Sequence, residues 1–127
     1  MNAVAPLMVT QKFFPLLEKG NNPKIYNISS NSGCITKKEG NGSTGYGYSS
    51  SKAALNMITK MLSNELKEHG IIAISFHPGW VKTTMLYTEN APLETIESIN
   101  GMIKVIESLE MSSTGKFLDW KGNEIPW

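Results

Sequence analysis

At 127 residues and 40% hydrophobic, the chain has room for one ordinary domain with a single core. Twelve basic and eleven acidic residues are scattered without runs, and a net charge of +1 excludes the basic stripe of a nucleic-acid binder. One cysteine, Cys34, excludes an intrachain disulfide framework and suits a reducing cytoplasm, while no apolar stretch approaches the roughly 20 residues of a membrane span.

In chain order, residues 2–19 carry Val4, Leu7, Met8, Phe13, Leu16 and Leu17 with few charges, which predicts a mostly buried helix stopping near Gly20. Pro15 lies inside it and makes a kink an option. Residues 24–29 form a short β-rich run. Residues 31–46 hold four glycines, with Asn41-Gly42 reading as a turn. Residues 47–69 have the apolar spacing of a second helix, capped by Gly70. Residues 71–76 are strongly β-prone, residues 92–109 predict a third helix, and residues 115–119 a last strand. Helices alternating with short apolar strands imply parallel crossovers in a layered α/β fold.

The segment Tyr48-Ser49-Ser50-Ser51-Lys52 opens the second helix. A tyrosine and a lysine four residues apart share one helix face. An ammonium beside a phenol favours the phenolate, which makes the pair a proton donor or acceptor for carbonyl chemistry. Tyr46 has no lysine at the same spacing. His77 and His69 with one cysteine give no metal-ligand spacing, and His77 reads as a strand-end packing residue.

Three segments appear in order: Asn27-Ile28-Ser29-Ser30 on a strand, Tyr48-x-x-x-Lys52 on the next helix, and Pro78-Gly79-Trp80-Val81-Lys82-Thr83 after the next strand. Together they resemble the short-chain dehydrogenase/reductase family. The phrase HPGWVKTTM and the tail GKFLDWKGNEIPW are similar to its C-factor-like carbonyl reductase branch. The resemblance spans nearly the whole chain but only the C-terminal half of a family member. The family's glycine-rich phosphate loop, its acidic adenosine residue and its NNAG turn are absent from the sequence.

The resemblance implies a Rossmann-like parallel sheet with flanking helices, without its N-terminal nucleotide-binding half. Residues 1–127 would then be the C-terminal catalytic portion of one such domain, truncated at the N-terminus. It implies reduction of a carbonyl or oxidation of an alcohol with NADP or NAD, NADP being favoured. Tyr48 would be the acid/base. Lys52 would favour the phenolate and hold the nicotinamide ribose. Ser30 would orient the substrate oxygen, and Asn2 would organise a proton path to the lysine, a helix N-cap being the plainer reading of that asparagine. Only one of Ser29 and Ser30 can face the site, because successive strand residues alternate. Pro78, Gly79, Val81 and Thr83 would receive the nicotinamide carboxamide. Ser30 and Tyr48 stand 18 positions apart, 48 minus 30, longer than the commonest family spacing and consistent with a longer loop. The segment Met85-Leu86-Tyr87 would cover an apolar substrate. The expected partners are a small-molecule carbonyl or alcohol and a second copy of the chain, with no nucleic acid or membrane. Two other readings stand beside the enzyme: a catalytically inactive fragment, and a signalling protein of the C-factor type.

Overall fold

The computed structural model describes residues 1–36, 45–85 and 88–127. Its elements are α1 (Val4–Leu17), β1 (Lys24–Ile28), α2 (Gly45–Leu66), β2 (Ile72–His77), α3 (Thr95–Ser108) and β3 (Phe117–Asp119). The strands form one parallel sheet in the order β1-β2-β3. Lys24 pairs with Ile72 and Ile28 with Phe76 on one side of β2, and Ser75 pairs with Phe117 on the other. This is the layered α/β architecture that the alternating pattern predicts, and it matches the Rossmann-like expectation.

β2 is the centre of the core. Residues Ile72–Phe76 are all buried, as expected for a strand covered on both faces. Its period of two divides the packing. Ile72, Ile74 and Phe76 meet Leu109, Leu118, Met102, Val105 and Ile106 on the α3 side. Ile71 and Ala73 meet Ile58, Leu62 and Leu66 of α2, with Leu7, Phe14 and Leu17 of α1 beyond. The α2 turn that follows Leu66 ends at Gly70, whose φ of +68° is the left-handed conformation a helix stop requires.

Two expectations need correcting. α1 is not mostly buried: Thr10 is its one buried residue, and Val4, Met8, Val9, Phe13 and Leu16 are exposed. The helix is rich in apolar residues, but only its Leu7–Phe14–Leu17 stripe packs on a buried hydrophobic cluster, and the described sheet stops at β1. The third helix begins at Thr95 rather than 92, since Leu93 bridges to Val81 instead of joining the helix. The Asn41-Gly42 turn and the Leu86-Tyr87 part of the predicted substrate cover lie outside the described residues.

Candidate active site

Tyr48 and Lys52 sit in the first two turns of α2, both half-buried. Lys52 Nζ lies 5.8 Å from the centroid of the Tyr48 ring, so the predicted shared face exists. The same ammonium donates a 2.7 Å hydrogen bond to the carbonyl of Ile28, the last residue of β1. Burial lowers the Lys52 pKa from the ordinary lysine value. The lysine therefore joins the start of α2 to the carboxyl end of β1.

Ser29 and Ser30 follow directly, and their hydroxyls diverge. Ser29 is 3% exposed and points its hydroxyl at the Lys52 carbonyl, 3.5 Å away. Its N–H donates to the Phe76 carbonyl at 2.7 Å, which keeps the ends of β1 and β2 level. Ser30 Oγ instead caps the short turn Asn31–Gly33, accepting from the Ser32 N–H at 3.1 Å. Among the described residues its hydrogen bonds run to Asn31 and Ser32, and none joins it to Tyr48.

Gly33, read from the sequence only as a loop glycine, does more. A Cβ there would stand 2.7 Å from the Lys52 carbonyl carbon and 2.8 Å from the Ala53 nitrogen. The turn after Ser30 thus lies flush on the helix backbone at Lys52, a distance that only glycine permits. Asn56, one helical turn beyond Lys52 and 3% exposed, points its Nδ2 at the Gly33 carbonyl, 3.5 Å away. Neither residue announces this in the sequence, because close approach between segments leaves no local pattern.

Asn2 is not the N-cap of α1. That position is Ala3, with no side-chain cap. Asn2 instead donates from Nδ2 to Ser51 Oγ at 3.1 Å, beside Lys52 in sequence. The long-range contact outcompetes the local cap and brings the asparagine to the turn of α2 that carries the lysine.

The loop after β2 forms the other wall. Gly79 has φ +90°, and a Cβ on it would meet Leu93 Cδ2 at 2.6 Å and the Trp120 ring at 3.0 Å. Val81 bridges to Leu93 in parallel, but the bond that carries the link comes from the Lys82 N–H to the Leu93 carbonyl at 2.9 Å. The Val81 amide is not the one used. The Thr83 hydroxyl is engaged within its own loop, 3.1 Å from Thr88 Oγ1 and accepting from the Met85 N–H at 3.2 Å. β1 and β2 are parallel, so the Ser30 turn and the Pro78 loop leave neighbouring strands at the same end, where open α/β sheets bind ligands. His77 closes β2, half-buried, with Nδ1 unpartnered among the described residues and with Asp119 opposite it in register. No group of metal-ligating side chains forms among the described residues.

A family model described as short chain dehydrogenase matches residues 1–94. The chain is similar to C-signal of Myxococcus xanthus, 36% identical over 127 residues, covering all of this chain and 75% of that protein. It is 32% identical to the short-chain dehydrogenase srdF of Neurospora crassa, covering 54% of that protein. Among solved structures, the carbonyl reductase Sniffer of D. melanogaster aligns with a TM-score of 0.89 at 34% identity, over 99% of this chain and 54% of that one. The NADPH-bound carbonyl reductase from chicken fatty liver aligns with a TM-score of 0.85 at 36% identity, again over 99% and 54%. The chain therefore spans three quarters of C-signal and about half the length of these other relatives.

Proposed function

This chain belongs to the short chain dehydrogenase family, and from that membership we propose that it forms the catalytic, C-terminal portion of a nicotinamide-dependent carbonyl reductase. The observation that carries the reading is the junction at Lys52: its ammonium is near the Tyr48 ring and bonded to the Ile28 carbonyl, two residues before Ser30. NADP is favoured over NAD, because three of the aligned structures hold NADPH or NADP. The substrate is a small carbonyl compound or the corresponding alcohol.

The donor set suits such a cofactor. Lys52 offers an ammonium for ribose hydroxyls, and the Val81 amide offers a backbone donor and acceptor not taken up by the Leu93 link. Pro78 and the left-handed Gly79 keep that backbone compact. Thr83 fits less well, its hydroxyl being held by Thr88 and Met85. When bound, the cofactor supplies or accepts the hydride. The chain supplies the rest. Tyr48 gives its phenolic proton to the carbonyl oxygen as the alcohol forms, and takes it back in the reverse direction. Lys52, 5.8 Å from the ring centroid, returns a proton towards the phenolate left behind. Ser30 donates a hydrogen bond to the same oxygen as charge develops there, which requires its hydroxyl to turn from Asn31. Asn2, through Ser51, steadies the turn that carries Lys52.

The test is NADPH consumption by the purified protein against a panel of aldehydes and ketones, with Tyr48→Phe beside the wild type. Turnover that survives in Tyr48→Phe removes the tyrosine from the reaction. Turnover absent from the wild type with every carbonyl favours the two other readings, a catalytically inactive fragment or a signalling protein.

A further inference from the structure

The loop that follows β2 is held from behind by α3, a helix that carries none of the family motifs. Ser98 lies on the inner face of α3 and is 2% exposed. Its hydroxyl donates a 2.6 Å hydrogen bond to the Pro78 carbonyl, 20 positions earlier. One turn before it, Thr95 donates to the Lys82 carbonyl at 3.1 Å, and Lys82 Nζ stands 3.6 Å from Glu94. One turn after it, Gly101 lets the Trp120 ring and backbone approach so closely that a Cβ would stand 2.5 Å from Cε3. The opposite side of that indole meets Gly79. The segment 78–82 is thus gripped at both ends from α3 and closely approached at Gly79 by Trp120.

The peptide unit gives this grip a direction. The bond between Pro78 and Gly79 is planar and trans, since the described chain has no cis peptide bonds. The Pro78 carbonyl and the Gly79 N–H therefore point opposite ways. A hydroxyl that draws the carbonyl towards α3 aims the Gly79 N–H away from α3, and the left-handed Gly79 carries that orientation into Trp80 and Val81. We propose that Ser98 is a positioning residue for the cofactor: by holding the Pro78 carbonyl it turns the Gly79 N–H, and with it the backbone leading to Val81, towards the nicotinamide. This rests on the functional reading above and extends it to a residue outside the motifs.

The experiment compares wild type, Ser98→Ala and Ser98→Thr in steady-state kinetics and in amide hydrogen exchange. In Ser98→Ala the KM for NADPH rises about fivefold to tenfold, the weight of one buried hydrogen bond, while kcat at saturating NADPH stays within about twofold. Ser98→Thr, which keeps the hydroxyl, restores the KM. Exchange of the Lys82 amide, bonded to the Leu93 carbonyl, speeds up in Ser98→Ala while the β2 amides keep their wild-type rates. An unchanged KM overturns the proposal, and so does a Ser98→Thr variant that behaves like Ser98→Ala. Loss of protection throughout β2 also overturns it, since the serine would then only be holding the fold. If the wild type turns over no carbonyl, the functional reading fails separately. Exchange at Lys82 then decides alone: local acceleration keeps Ser98 as the residue that sets this loop, and none removes it.

Discussion

The ammonium of Lys52 serves two groups at once, the Ile28 carbonyl and the Tyr48 ring, and it does so from a partly desolvated position. Removing either member of the pair has a distinct signature. Tyr48→Phe keeps the ring and its packing, so the melting temperature stays at the wild-type value while kcat falls about 10²–10⁴-fold. Lys52→Met keeps the aliphatic stem but loses the charge, so kcat falls and the KM for NADPH rises together. A Lys52→Met variant with an unchanged cofactor KM takes the ribose role away from that lysine. Both residues were legible in the sequence because one helical turn joins them, and spacing along a helix is a local property. Gly33 was not legible in the same way, since its constraint is the backbone of a segment 19 positions later, 52 minus 33. Backbone cannot step aside as a flexible side chain can. Gly33→Val should therefore destabilise the fold by about 1–3 kcal/mol and move the Ser30 turn off α2, lowering turnover as well. A thermal melt of that variant at the wild-type temperature would show that the turn is free to shift.

Helices and strands were legible nearly to their ends, because each carries its own period and its own stop. The run 71–76 and the strand Ile72–His77 differ by one residue, and Gly70 ends the helix before them as expected. The errors share a cause. Spacing alone draws Leu93 into a helix and composition alone buries α1, whereas pairing with Val81 and the extent of the described sheet decide both. Serines and asparagines were the hardest to place, since Ser29, Ser98 and Asn2 each spend a side chain on a distant segment. The paired ends of β2 and β3 carry a further consequence. Burial lowers the His77 pKa, opposed by the charge of Asp119. For Asp119, burial pushes the pKa up, but hydrogen bonds from Asn123 and the Lys121 N–H, with the His77 charge, bring it down overall. The folded state thus prefers a neutral imidazole and an ionised carboxylate. Their contribution is complete above the unfolded-state pKa and is lost on acidification. The loss begins near pH 6.5 for the histidine and near about pH 3.9 for the aspartate. The melting temperature should therefore fall between about pH 7 and pH 5. His77→Gln, which cannot take up a proton, should flatten that stretch and leave the fall below it. Equal slopes in variant and wild type would assign the acid sensitivity elsewhere.

The molecule as a whole has one well-covered strand and one bare side. β2 is enclosed by α2 and α3, but β1 pairs only with β2 among the described residues, and its outer edge presents backbone donors and acceptors. Tyr26 and Ile28 on that strand are each 46% exposed. Beside them runs the uncovered side of α1, where Val9 and Phe13 line an apolar groove with Ile25 and Tyr26. An open strand edge next to an apolar groove favours association, since a second chain can extend the sheet and bury the groove together. Little opposes it electrostatically: the net charge is +1, and Lys24 is the one charged residue lining that groove. The 127-residue chain should therefore self-associate at micromolar concentration and show a broad, concentration-dependent melt. Placing a charge at the centre of the groove, as in Phe13→Glu, should shift the population towards monomer without disturbing the β2 core, because Phe13 belongs to neither buried cluster. Light scattering on both forms is the measurement. A wild-type chain that stays a monodisperse monomer with a sharp, high-temperature melt would mean that β1 and α1 are stable as they stand and that this side needs no cover.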